Sequence, residues 1–167
     1  MKTCKITYVR DYQNVRTLSR NMKNNIEALQ KVASMLQPFV TSKDILIPIP
    51  SHTGRATYML DVADILRQKT GCKIMNILRC EPHESICEMK KKKDFSWPNI
   101  FSGCNPKWIP DNAILLDNVL DTGSTYFAAQ LALGKLMNIL VISKTKCNEE
   151  KFKKNFKFLL EKLSINQ

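Results

Sequence analysis

Ala113-Ile114-Leu115-Leu116-Asp117-Asn118-Val119-Leu120-Asp121-Thr122-Gly123-Ser124-Thr125 is the stretch on which the fold turns. Ala113 to Leu116 is a short apolar run, as a strand buried on both faces requires. Asp117, Asn118 and Asp121 then place polar groups at the end of that strand. Thr122 to Thr125 is a small loop of hydroxyls and one glycine, and it leads into Tyr126 to Leu133, which has good helix formers and an apolar face. A strand, such a loop and a helix make an anion site. The first helical N–H groups have no intrahelical partner, and the helix dipole favours negative charge beside them. Gly123 permits positive φ and close approach of the backbone. Thr122, Ser124 and Thr125 each supply a hydroxyl. One phosphate fits the loop, and the acidic and amide groups before it suit the hydroxyls of a sugar carrying that phosphate. An ordinary strand–helix turn with a threonine cap is the simpler alternative, but it has no need of the upstream polar pair.

A second unit of the same kind lies upstream. Ile45 to Pro50 reads as a buried strand whose prolines end its pairing. The loop Ser51-His52-Thr53-Gly54-Arg55 follows, then a helix marked by Tyr58, Leu60, Val62, Ala63, Ile65 and Leu66 that stops near Thr70-Gly71. A strand over Lys73 to Leu78 completes a βαβ unit, which predicts parallel strands. Ligands of open α/β sheets sit at the carboxyl ends of strands. If both strands are central, the loops at 51–55 and 117–125 meet in one crevice.

The Asp117–Thr125 pattern resembles the phosphoribosyl-diphosphate (PRPP) motif of type I phosphoribosyltransferases: apolar residues, two acidic positions, two variable positions, then a Thr/Asp-Thr-Gly-x-Thr loop. Asn118 departs from it at the second acidic position. The segment Ile47 to Arg55 looks like the diphosphate loop of that family in its competence-protein F-type variant. The resemblance implies a single α/β domain over residues 1–167, with its core at 40–145. It further implies a mostly parallel twisted sheet flanked by helices, with a flexible loop or hood insertion at 79–103. It assigns the ribose hydroxyls to Asp117 and Asn118, and the 5′-phosphate to Asp121, Thr122, Gly123, Ser124 and Thr125. The diphosphate goes to Ser51, His52, Thr53, Gly54 and Arg55, where Arg55 would neutralise charge bidentately. The implied activity is transfer of ribose 5-phosphate to a nitrogen nucleophile, with Asp121 and Arg55 as the catalytic candidates. Asp121 suits two roles equally: a general base toward an acceptor nitrogen, or a loop-capping carboxylate. Mg²⁺ is the implied cofactor, held chiefly by PRPP and water, with no direct protein ligand and Asp117 acting through water.

Arg79 to Trp108 breaks the βα rhythm with Pro82, a lysine run, Trp97-Pro98, Gly103 and Pro106. It is long for a connection, so a mobile loop or a small hairpin is expected. By the resemblance it is the lid that excludes water, with Lys90, Lys91, Lys92 and Lys93 adding charge; solvated lysines are the plainer reading. Phe95, Trp97 or Trp108 are candidates to stack on an acceptor base, although core packing is the commoner fate of such rings.

The rest of the chain frames this core. Lys2 to Val9 reads as a first, edge strand, and Asp11 to Arg20 as polar irregular chain. Met22, Ile26, Leu29, Val32 or Ala33, and Leu36 recur at helical spacing. Asn138 to Ser143 is a last strand after a Gly134 stop, and Glu149 to Leu163 a lysine-rich amphipathic helix. The 167 residues are 44% hydrophobic, enough for one sizeable core, with a formal charge of +11. That charge favours polyanions, either a substrate with several phosphates or nucleic acid. No apolar run suggests a membrane span and Met1 to Ile6 does not read as a signal peptide, so a cytoplasmic protein with no membrane partner is expected. The expected partners are PRPP and a nitrogen acceptor, with a homodimer as a candidate assembly. The six cysteines form no Cys-x-x-Cys pair, which suits reduced thiols. Cys80, His83, Cys87 and Cys104 have the chemistry for zinc but not a standard finger spacing. A non-catalytic PRPP or nucleotide sensor, or a DNA-uptake accessory protein, is the competing functional class.

Overall fold

The computed structural model describes residues 4–54, 57–84, 89, 100–145 and 149–165. Five strands, β1 (Ile6–Asp11), β2 (Ile45–Pro48), β3 (Lys73–Ile74), β4 (Ala113–Leu120) and β5 (Asn138–Lys144), form one sheet in the order β1-β5-β4-β2-β3. Every pairing is parallel. Five helices accompany them: α1 (Tyr12–Asn21), α2 (Ile26–Leu36), α3 (Thr57–Thr70), α4 (Ser124–Leu133) and α5 (Glu149–Ile165). The arrangement is Rossmann-like. Among the described residues, no helix is long and apolar enough to cross a membrane.

Strand alternation explains the layering. Leu46, Ile114, Leu116, Leu140 and Ile142 point to the layer built by α1, α2 and α3. Ile47, Ala113, Leu115, Ile139 and Val141 point to the layer of α4 and α5. Parallel strands buried on both faces therefore read as unbroken apolar runs. Helix α4 lies between the sheet and α5, with Phe127 packed in tilted contact with Phe152 and Phe156 at ring distances of 4.9 and 6.1 Å. The Tyr126 hydroxyl donates to the Met137 carbonyl at 2.6 Å, and Gln130 Oε1 accepts from the Met137 N–H at 2.8 Å. These bonds fasten α4 to the start of β5. Gly134, at φ 59°, closes the helix, and the Lys135 N–H returns to the Gln130 carbonyl.

Several elements differ from the sequence expectation. Residues 12–21 are helical, not irregular: Val15, Leu18 and Met22 form a narrow apolar stripe, and Ser19 sits buried on the same face. The second helix consequently starts later, at Ile26, capped by Asn25 Oδ1 on the Ala28 N–H at 3.0 Å. Strand β3 is two residues long, with one more bond from the Met75 N–H to the Leu46 carbonyl. Strand β4 continues four residues beyond the expected Leu116. The excursion after residue 78 is closed at its base by Arg79 and Ser102, whose N–H groups donate to each other's carbonyls at 2.9 and 2.8 Å.

Candidate functional site

The chain goes from β2 to β3 on one side, then to β4 on the other side of β2, so the order in which strands are added reverses between β2 and β4. Such a switch point opens a crevice at the carboxyl ends of the two strands. Local sequence enlarges it here. Pro48 and Pro50 lack N–H groups, so β2 ends, with a final bond from the Ile49 N–H to the Leu116 carbonyl. Strand β4 runs on, pairing only with β5 through Asp117, Val119 and Leu120. Asp117 and Asn118 thus lie within a strand rather than at its end, on an edge that β2 has vacated.

A cavity of about 330 Å³ occupies this place. From the β4–α4 unit it is lined by Asp117, Asn118, Val119 and Thr125, and from the β2–α3 loop by Pro50, Ser51 and His52. The two loops expected to share a crevice do so. Lys23, Tyr58, His83 and Phe101 complete the lining. Sequence reading did not single out Lys23, Tyr58 or Phe101 as site residues, and weighed His83 only as a zinc ligand: Tyr58 carried only a helical pattern, and nothing near Lys23 marks it.

Asp117 is half-buried, and its carboxyl is pushed up to about 6 by loss of solvent; the Asn118 N–H, donating to Oδ1 at 2.7 Å, and the Lys23 charge pull the other way. The Lys23 ammonium also lies 5.5 Å over the Tyr58 ring. Burial and the neighbouring Asp117 raise the Tyr58 phenol above its ordinary range, which keeps it a neutral hydrogen-bonding group.

Asn118 is committed to α1. Its Oδ1 accepts from the Ser19 hydroxyl at 2.8 Å and its Nδ2 donates to the Ser19 carbonyl at 3.2 Å. Ser19 offers both a donor and an acceptor, and an amide answers both where a carboxylate answers one. That gives the departure at this position a physical reason.

The glycine loop is less open than expected. Gly123 has φ 78°, and a Cβ there would lie 2.5 Å from Phe127 Cε2 and 2.9 Å from the Phe152 ring. The hydroxyls of Thr122 and Ser124 are buried and 2.9 Å apart, within hydrogen-bonding distance of each other, and Asn155 Nδ2 of α5 donates to the Thr122 carbonyl at 3.1 Å. Of the three hydroxyls expected at a phosphate, Thr125 lines the cavity. Asp121 faces elsewhere: its Oδ1 accepts from the Thr145 hydroxyl at 2.7 Å, and it lines a separate cavity.

On the facing loop, the Gly54 N–H donates to the Ser51 carbonyl at 3.0 Å with φ 89° at Gly54. Ser51 Oγ and Thr53 Oγ1 are 2.7 Å apart. Residues 80–83 brace this turn. The Cys80 thiol donates to the Ser51 carbonyl at 3.2 Å, and the His83 N–H to the His52 carbonyl at 2.9 Å. A Cβ on Gly54 would lie 2.9 Å from the Cys80 carbonyl. The two imidazoles lie 6.5 Å apart, and His83 Nε2 is buried with no partner among the described residues.

Arg55, Lys90, Lys91, Lys92, Lys93, Phe95, Trp97 and Cys87 lie outside the described residues. Trp108 is exposed and precedes the amino end of β4, at the pole opposite the crevice, so it does not stack on a ligand there. Among the described residues no three His, Cys, Asp or Glu side chains converge on a cation site; Cys104 Sγ lies 3.7 Å from the Asn105 carbonyl. No protein-family model, curated protein or solved structure matches this chain.

Proposed function

We propose that this chain is a PRPP-dependent phosphoribosyltransferase of the type I kind, transferring ribose 5-phosphate to a nitrogen nucleophile with release of diphosphate. The observation that carries this reading is the meeting of Asp117, Asn118 and Thr125 with Ser51 and His52 around one switch-point cavity. In this reading Thr125 and the first N–H groups of α4 take the 5′-phosphate. Asp117 accepts from ribose hydroxyls. Ser51, His52 and Lys23 face the diphosphate, and the unpartnered His83 Nε2 offers one further polar contact.

Mg²⁺ fits as a substrate-borne ion. Among the described lining residues Asp117 is the one carboxylate; it is destabilised by burial, and an adjacent cation would relieve it. Bound Mg²⁺ would supply charge neutralisation on diphosphate. The protein's own part is to fix C1 of the ribose relative to the acceptor. The C1–O bond breaks and its electron pair leaves with diphosphate. The acceptor nitrogen's lone pair forms the C1–N bond. Its proton passes to a base, for which the exposed Asp121 carboxylate is the candidate.

A second reading has a specific observation behind it. Asn118 uses its amide oxygen and nitrogen each in one bond to Ser19 and carries no charge, which leaves Asp117 as the carboxylate for the sugar and favours a non-catalytic PRPP or nucleotide sensor. Incubation with PRPP, Mg²⁺ and a panel of nucleobases, following diphosphate release, separates the two. Turnover supports the transferase. Saturable PRPP binding with no turnover supports the sensor, and salt-dependent DNA binding without PRPP binding overturns both.

A further inference from the structure

Strand β1 is the outer strand of the sheet, and one side of it meets no other strand. Its bonds to β5 fix which groups face that open side. The Ile139 N–H donates to the Lys5 carbonyl at 3.0 Å, and Ile6 pairs with Ile139, Tyr8 with Val141 and Arg10 with Ser143. In a parallel ladder that register turns the backbone groups of Lys5, Thr7 and Val9 toward β5. The N–H and C=O groups of Ile6, Tyr8 and Arg10 therefore point outward. No described strand, turn or loop pairs with them. The Tyr8 ring beside them is 44% exposed. Such a row is a template for another strand.

The strand is also complementary to its own reverse. Lys5-Ile6-Thr7-Tyr8-Val9-Arg10-Asp11 carries an ammonium at one end and a carboxylate at the other. Laid antiparallel on a second copy about Tyr8, it sets each Lys5 opposite an Asp11, each Ile6 opposite an Arg10 and each Thr7 opposite a Val9. The two Tyr8 rings meet on the axis. The pairs that exchange N–H···O=C bonds are then Ile6 with Arg10 and Tyr8 with Tyr8, the residues whose backbone groups point outward. Lys5 and Asp11 fall at a non-hydrogen-bonded pair, where side chains stand closest. A slip of one residue sets the outward groups against groups that face β5, and a slip of two leaves both ionic pairs unmade. Both charged groups are available. Asp11 occupies the N-cap position of α1, yet its carboxylate makes no capping bond. Lys5 has no carboxylate partner among the described residues. An edge lysine alone ordinarily keeps strands apart; here the aspartate at the other end answers it.

We infer that β1 is a homodimer interface, at which two copies of this chain join edge to edge, antiparallel and centred on Tyr8, into one continuous sheet about a twofold axis. The partner is a second copy because both halves of every contact lie on one strand: cation and carboxylate, donor and acceptor. That is the requirement of an isologous interface. A foreign extended peptide would use the backbone row, but would give no reason for the match of Lys5 with Asp11. Strands β5 and β4 separate this edge from the switch-point cavity, so the pairing leaves that cavity open.

The test is sedimentation equilibrium of the full chain over a concentration series. The mass should rise to twice the 19.2 kDa of one chain. Lys5→Glu should raise the dissociation constant about tenfold, because like charges then meet twice across the axis. Asp11→Lys should do the same, and the two substitutions together should restore the affinity, since each pair is again of opposite sign. Tyr8→Pro removes an outward N–H and spares the bonds to β5. It should stay at 19.2 kDa at every concentration, with the circular dichroism of the parent. Should that variant fail to fold, the charge exchange still decides. A parent that stays monomeric throughout overturns the inference. So does a dimer indifferent to both charge reversals, and so does a charge exchange that fails to restore pairing.

Discussion

Replacing Asp117 by asparagine should stabilise the ligand-free protein at neutral pH. Burial holds the folded carboxyl at about 6, against an ordinary value of 3.8. The folded state therefore binds this proton more tightly than the unfolded chain. Its contribution is present in full below pH 3.8 and is lost as pH rises through about 6. At about 1.4 kcal/mol for each tenfold change in proton affinity, the ionised group costs about 3 kcal/mol above pH 6. Residual solvent contact lowers the realised figure to about 1–3 kcal/mol. Asparagine keeps the shape and still accepts from the Asn118 N–H, which now donates at 2.7 Å, but carries no charge. Urea unfolding at pH 4, 6 and 8 reads the effect as a rise in midpoint at constant m. The gain should be near zero at pH 4 and grow to its full value by pH 8. A variant less stable than the parent at pH 8, or equally stabilised at every pH, would refute the claim that buried charge is the cause. The same substitution should weaken PRPP binding, a stability gain at the expense of the site.

Gly123→Ala should destabilise by about 2–4 kcal/mol, read by thermal melting, because the new methyl meets Phe127 at 2.5 Å and the residue sits at φ 78°; an unchanged melting temperature would show that the aromatic lid yields freely. Phe152→Ala should cost about 3 kcal/mol, measured by urea unfolding, through loss of its packing on Phe127 at 4.9 Å. Asn118→Asp should lose about 1–3 kcal/mol in urea unfolding, since a carboxylate cannot donate to the Ser19 carbonyl; a double-mutant cycle of Asn118→Ala with Ser19→Ala, which removes the hydroxyl–amide bond from either side, should show coupling, and additivity would contradict that contact. Lys23→Met should raise the Asp117 carboxyl further, visible as an upward move of its titration in carbon-detected NMR.

Much of this architecture was legible because its signals are local. Ala113–Leu116 and Ile45–Pro50 are apolar runs followed by polar loops, and they resolve into β4 and the shorter β2, Ile45–Pro48, parallel strands flanking the switch point. The prolines that marked the end of β2 also created the open edge on which Asp117 and Asn118 stand. What escaped depends on contacts distant in sequence. Helix α1 is polar on most of its surface, and its short stripe of Val15, Leu18 and Met22 was weak against the surrounding arginines and asparagines. Asn118 looked like a defect in a motif until Ser19, ninety-nine residues away, supplied a matching donor and acceptor. Gly123 looked open to an anion because nothing in residues 113–133 announces that Phe152 and Asn155 of the last helix lie across the loop. Asp121 was grouped with the phosphate loop by adjacency, whereas the register of β4 on β5 turns it toward Thr145 and the neighbouring cavity.

The most direct test of the account is amide-resolved NMR during titration with PRPP and Mg²⁺. It predicts saturable, one-to-one binding, with the largest shifts at Ser51, His52, Asp117, Asn118 and Thr125 around the switch-point cavity, and loss of that binding in Asp117→Asn. Absence of binding, or shifts centred instead on the opposite pole near Cys4, Lys135 and Met137, would contradict it.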